Sequence, residues 1–127
     1  MKPSKVVVIG QGYVGLPLAM AIAEAGHEVI GFDLNAALAN RLNSGLSHIE
    51  DVSSSALKGL ISESKYKASS NPSDLAGSDI AIIAVPTPLN ENREPDVSFV
   101  ISASELLGKN LTKSTLIINE STSYPGT

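Results

Sequence analysis

Three glycines, Gly10, Gly12 and Gly15, stand in the spacing G-x-G-x-x-G directly after the apolar run Val6 to Ile9. Each has its own physical use in that arrangement. Gly10 allows a tight turn off a strand, Gly12 lets a backbone come close to a pyrophosphate, and Gly15 lets a following helix pack closely on the sheet. The amino end of that helix offers unpaired N–H groups and a partial positive charge, so phosphates can be held without a basic side chain. Asp33 follows 18 residues after Gly15, at the close of the next apolar run. A carboxylate there can accept hydrogen bonds from ribose hydroxyls, charge-assisted contacts worth about 1.5 to 3 kcal/mol. Alone, the triplet also serves ordinary turns, and Asp33 alone could cap a helix or turn. Strand, turn, helix and acid in that order point to a dinucleotide. A 2′-phosphate beside Asp33 would meet like charge, and Leu34 and Asn35 supply no arginine to receive it. The expected ligand is therefore NAD rather than NADP; Arg41, about two turns further on, is the residue that could reverse that preference. A methyltransferase also uses a glycine-rich first turn and an acid after its second strand, but the strict spacing and the following Y-V-G-L-P favour the dinucleotide.

These residues need strands and helices to position them. The β-branched run Val6 to Ile9 reads as a strand buried on both faces of a parallel sheet. From Tyr13 the apolar period becomes helical through Val14, Leu18, Ala21, Ile22 and Ala25, with Gly26 as the C-terminal cap. Pro17 falls inside this helix, where it is expected to remove a backbone hydrogen bond and bend the axis without ending it. Glu28 to Phe32 reads as a second strand and Asn35 to Leu42 as a second helix ending near Gly45. A short helix near Ser54 to Ile61, a brief strand near Tyr66 to Ala68 and a turn at Asn71 and Pro72 follow. Ile80 to Val85 is another buried strand, leading into a proline-rich surface loop from Pro86 to Pro95. Asp96 is placed to cap a helix from Val97 to Leu107, with Gly108 beyond its end, and Thr115 to Ile118 is the last strand. Alternating strands and right-handed crossovers give an α/β, Rossmann-type doubly wound parallel sheet of about five strands in the order 3-2-1-4-5.

At 127 residues the chain is one domain's worth, with 43% hydrophobic and 17% charged residues, a globular balance needing no staple or metal. A formal charge of −4 with no basic run argues against nucleic acid as a partner. No cysteine is present, which excludes thiolate metal sites and a cysteine nucleophile within these residues. The apolar run after Lys5 is far shorter than a signal-peptide core or a membrane span, so no membrane association and a cytoplasmic location are expected.

Four segments together carry a resemblance that covers the whole chain: G-Q-G-Y-V-G-L-P-L-A (Gly10 to Ala19), A-V-P-T-P-L (Ala84 to Leu89), E-P-D-V-S-F-V (Glu94 to Val100) and E-S-T-S-Y-P-G-T (Glu120 to Thr127). In this order they resemble the UDP-glucose/GDP-mannose dehydrogenase family, NAD-dependent enzymes that oxidise C6 of a nucleotide sugar twice, from alcohol to acid. The resemblance implies that Gly10, Gly12, Tyr13, Val14 and Gly15 surround the pyrophosphate and that Asp33 holds the adenosine ribose. It also implies that Pro86, Thr87 and Pro88 touch the cofactor further along. Ser121 and Thr122 would lie at the nicotinamide and substrate end, with Thr122 as the active-site residue that helps hold a water. The alternative reading of Thr87, Ser121 and Thr122 is as loop hydroxyls, Thr87 capping its own backbone. The P-T-P-L loop followed by R-E-P-D-V looks closer to the branch acting on UDP-N-acetylhexosamines than to the UDP-glucose branch.

The family's catalytic cysteine, lysine and glutamates, its dimerising middle helix and its sugar-nucleotide domain find no counterpart in the 127 residues. The resemblance therefore implies a truncated NAD-binding domain spanning residues 1–127, which binds NAD without turnover and belongs to a homo-oligomeric parent enzyme acting on a UDP-sugar. Another NAD(P)-dependent oxidoreductase, such as a β-hydroxyacid dehydrogenase, shares the first strand-helix-strand unit. A non-catalytic nucleotide-sensing module would share the cofactor site. His27 reads as a solvated turn residue. His48, Glu50 and Asp51 read as surface, and no metal is assigned.

Overall fold

The structure, a computed structural model, describes residues 4–12, 14–49, 52–85, 98–110 and 115–119. Its elements run β1 (Lys5–Ile9), α1 (Gly15–Glu24), β2 (Glu28–Phe32), α2 (Ala36–Asn43), α3 (Ser54–Ser62), β3 (Tyr66–Ser69), a 3₁₀ turn Pro72–Leu75, β4 (Ile80–Ile83), α4 (Ser98–Asn110) and β5 (Leu116–Asn119). The strand pairings among the described residues are all parallel, and the spatial order is β3-β2-β1-β4-β5. This is the doubly wound sheet expected from the alternation of elements.

Alternation along β1 explains why its residues are uniformly apolar. Val6 and Val8 enter a core shared with Leu16, Met20 and Leu57, whereas Val7 and Ile9 enter one shared with Leu75, Ala103 and Leu107. Helices α1, α2 and α3 cover the first face and α4 covers the second. A polar residue on either face of β1 would be sealed from water, at a cost of several kcal/mol unless paired.

The register aligns the strand ends. Phe32 lies beside Ser69 and Ile9, Ile9 beside Ile83, and Ile83 beside Asn119. The carboxyl ends of these strands thus form a level row, the edge at which ligands of open parallel sheets bind.

Local chemistry sets the helix boundaries. The side chains of Asn35 and Ser53 accept from the N–H groups of Leu38 and Ala56, so Asn35 caps α2 from outside it. Pro17 falls at the third position of α1, inside the first turn, where N–H groups have no partner within the helix. Leu16 N–H and Leu18 N–H on either side donate to Gly12 O and Val14 O, and the helix runs on past Pro17 to Glu24, as expected. Gly26 follows α1 with φ +104, the left-handed cap expected there. Several boundaries differ from expectation, most by one residue. β4 stops at Ile83, two residues short of Val85. The stretch after Asn71 winds into a 3₁₀ turn, Asn71 accepting from Ser73 N–H. Gly108 does not end α4, which continues to Asn110, since an isolated glycine costs a helix only about 1 kcal/mol. Asp96 lies outside the described residues.

The carboxyl end of α3 uses a residue ill suited to it. Ser64 is exposed and holds φ 59, while Lys65 N–H reaches back to Leu60 O. A side chain costs roughly 1 to 2 kcal/mol in this left-handed conformation. Ser64→Gly is therefore expected to stabilise the fold by about 1 kcal/mol, read as a higher urea midpoint at unchanged slope. A lower midpoint would contradict this account of the α3 terminus.

Candidate functional site

The three glycines of the turn divide sharply once the surrounding atoms are known. A Cβ at Gly10 would lie 2.7 Å from Ala84 O, and φ +96 is itself a conformation that disfavours a side chain. A Cβ at Gly15 would collide with Gly10 O. Both are thus required by the fold, because β1, α1 and the end of β4 meet there at van der Waals distance. Gly12 differs: a Cβ at that position meets nothing within 4 Å. No described protein atom calls for glycine at position 12, which leaves the outer side of the turn open to approach.

Asp33 stands beside this opening. Its Oδ2 accepts from Gln11 N–H at 3.0 Å, and its Oδ1 accepts from Asn35 N–H at 3.0 Å. The carboxylate is therefore both a local cap, the more ordinary of its two expected uses, and a bridge from β2 to the glycine turn. Two bonds use only part of its capacity, since a carboxylate has about four acceptor sites. It is half-buried at the carboxyl edge of the sheet, aimed by two backbone donors and able to accept hydroxyl donors.

A mostly apolar cleft adjoins it, lined by Ile9, Gly10, Phe32, Asp33, Leu34, Val85, Ser102, Ala103 and Leu106. Leu34, 71% exposed, forms one lip and α4 the opposite wall. A flat aromatic ring would gain most from such a slot, through apolar burial and dispersion rather than hydrogen bonding. Among the described residues Asp33 is the charged one that lines it, and an aspartate repels phosphate. Arg41 is turned elsewhere, its guanidinium donating to Ser47 O at 3.2 Å beyond the far end of α2.

Gln11 is the residue of this edge that sequence reasoning missed. It is fully buried. Its Nε2 donates to Val8 O at 3.1 Å and Gly10 O at 3.0 Å, and its Oε1 accepts from the Tyr66 hydroxyl at 2.7 Å. Burial, and secondarily the Asp33 carboxylate, push the Tyr66 hydroxyl well above the usual tyrosine range, so it remains a donor. The bond crosses β2 at Gly31, where a Cβ would collide with both Gln11 Oε1 and the Tyr66 hydroxyl. A glycine inside an apolar strand was the available signal of that close approach.

Of the expected site residues, the structure brings Gly10, Gly12, Gly15 and Asp33 together, with Val14 at the amino end of α1. Tyr13, Pro86, Thr87, Pro88, Ser121 and Thr122 lie outside the described residues. The strands that lead into the last two groups, β4 and β5, end at the same edge as β1. His27 is not simply solvated: its Nδ1 accepts from Ser4 N–H at 3.0 Å. Glu50 and Asp51 are outside the described residues, among which no group of three or more His, Cys, Asp or Glu could hold a metal ion. No helix among the described residues is long and apolar enough to cross a membrane.

Comparison with known proteins agrees with this geometry. Residues 4–127 match the model of the UDP-glucose/GDP-mannose dehydrogenase family, NAD binding domain. The protein CapL of Staphylococcus aureus is 39% identical over 121 residues, covering 95% of this chain and 27% of CapL. A UDP-N-acetyl-D-glucosamine 6-dehydrogenase of Pseudomonas aeruginosa is 40% identical over 126 residues, covering 99% of this chain and 29% of that protein. The solved structure of a UDP-D-ManNAc dehydrogenase from Pyrococcus horikoshii superposes with a TM-score of 0.88 at 36% identity, over 96% of this chain and 29% of that one. The chain thus spans less than a third of the length of these relatives.

The division among the glycines is directly testable. Gly12→Ala should leave the urea midpoint nearly unchanged, within about 0.5 kcal/mol, while weakening NAD binding about tenfold or more by titration calorimetry. Gly15→Ala should destabilise the fold itself, by about 1 to 3 kcal/mol or more. Equal loss of stability in both variants would contradict this division among the glycines.

Proposed function

The chain belongs to the UDP-glucose/GDP-mannose dehydrogenase family, and on that premise we propose that it is the NAD-binding part of a UDP-sugar 6-dehydrogenase. NAD is the cofactor of this domain. The observation that carries the proposal is the open approach to Gly12 beside the doubly anchored Asp33 carboxylate.

In this reading the cofactor's pyrophosphate crosses the turn at Gly12 and meets the amino end of α1 near Val14 and Gly15. Asp33 accepts the adenosine ribose hydroxyls, and the adenine enters the slot between Leu34 and α4. The Asp33 charge and the direction in which Arg41 is turned support NAD over NADP. Pro86, Thr87 and Pro88 extend the contact from the β4 end, and Ser121 and Thr122 from the β5 end. Thr122 serves the reacting end by holding a water. NAD supplies the hydride acceptor, and the residues of this chain bind and orient it.

The proposed substrate of the whole enzyme is a UDP-N-acetylhexosamine, supported by the P-T-P-L loop and by the named activities of similar proteins. Its C6 alcohol passes to the acid in two oxidations that consume two NAD and one water. The second oxidation needs a thiol that these residues lack, so this chain binds NAD without turnover and the remaining groups come from further sequence. Leu116 is 60% and Ile117 48% exposed, on opposite faces of β5, which supports a further segment packing there. The proposal includes a cytoplasmic enzyme that assembles with copies of itself and contacts neither nucleic acid nor membrane.

Affinity and stoichiometry both bear on this reading. The chain should bind NAD at least about tenfold more tightly than NADP, and Asp33→Asn should weaken NAD binding by roughly tenfold, the value of one charge-assisted hydrogen bond. Tighter binding of NADP would overturn the assignment of Asp33. The full-length enzyme should release two NADH per UDP-N-acetylhexosamine oxidised; a single NADH with aldehyde as product would refute the two-step reaction.

A further inference from the structure

We propose that the Tyr66 hydroxyl and the Gln11 side chain, joined over Gly31, are positioning residues that hold Asp33 in the orientation that reads the adenosine 2′-hydroxyl. The inference rests on the reading of Asp33 as the ribose acceptor and extends it to two residues that never touch the ligand.

The Gln11 amide is anchored at both ends. Its nitrogen donates to Val8 O and Gly10 O, and its oxygen receives the Tyr66 hydroxyl. The backbone N–H of this same residue aims Oδ2 of Asp33. Loosening the side chain therefore loosens the donor that orients the carboxylate.

The arrangement draws on three adjacent strands. β1 leads into Gln11, β3 supplies Tyr66, and β2 supplies the missing side chain at Gly31 that makes room for their bond. A buried polar pair of this kind adds nothing to a core that apolar packing would not supply, and it is costly when half-satisfied. Its location beneath the ribose acceptor gives it a use there. Charge-assisted hydrogen bonds depend steeply on direction, so a carboxylate free to rotate would lose selectivity for one hydroxyl before it lost overall attraction.

The test compares two ligands on the intact chain: NAD and its analogue lacking only the adenosine 2′-hydroxyl. Their affinities are measured by titration calorimetry for the unmodified protein, Tyr66→Phe and Gln11→Met, with circular dichroism melts to check folding. The unmodified chain should prefer NAD by roughly tenfold. Tyr66→Phe should reduce that preference to near parity while leaving affinity for the deoxy analogue essentially unchanged, a pattern that general destabilisation does not produce. Gln11→Met should do the same and carries the comparison if Tyr66→Phe does not fold. Retention of the preference in the folded variants would overturn the positioning role and leave the ribose reading intact. Absence of any preference in the unmodified chain would instead overturn the ribose reading itself.

Discussion

The carboxylate of Asp33 joins the ends of two neighbouring strands. One oxygen takes the N–H of Gln11 in the turn after β1, and the other takes the N–H of Asn35 as the chain enters α2. Without that bridge the turn would be held to β2 by Gly10 N–H donating to Phe32 O, a bond that fixes separation but not the aim of the side chains. The rest of the described edge is arranged around it. Gly10 and Gly15 bring β1, α1 and β4 close enough for the turn to be compact, and Gly31 leaves space for the buried contact that pins Gln11 from below.

The proposed site is compatible with a formal charge of −4. Local dipoles, rather than net charge, govern binding at the end of a helix, because their influence is confined to the first turn. In the proposed reading a phosphate would approach the amino end of α1 past Gly12, while the negative Asp33 would face the ribose hydroxyls from one side. In that reading, the same charge that would admit a ribose would repel a 2′-phosphate.

Much of this was legible in the sequence, for reasons that differ between elements. The strands β1 and β4 are packed on both faces, which leaves short, continuous apolar runs rich in β-branched residues, bounded by Gly10 and by Pro86. The glycine triplet and Asp33 were legible because their spacing is dictated by a turn of fixed size and a crossover of nearly fixed length. Helix termini were less so. Gly108 looks like a stop signal, but a single glycine costs too little to end a helix already packed through Ala103 and Leu107. Gln11 and Tyr66 were illegible because their pairing spans 55 residues, and no local pattern distinguishes a buried glutamine from a solvated one. The apolar cleft beside Asp33 was missed for a related reason. Leu34 and Leu106 come from distant segments and line one cleft only after the sheet has formed.

In the proposed reading, the open glycine at position 12 and the bridged carboxylate of Asp33 together form the dinucleotide site. It is tested most directly by titrating NAD into the uniformly 15N-labelled chain and following every backbone amide by NMR. The amides of Gln11, Gly12, Asp33, Leu34 and Ala103 are expected to shift in one saturable process, with those at the opposite ends of the strands, such as Lys5 and Glu28, unmoved. Saturable shifts centred on another surface, such as the groove between α1 and α3, with Gly12 and Asp33 unchanged, would contradict it.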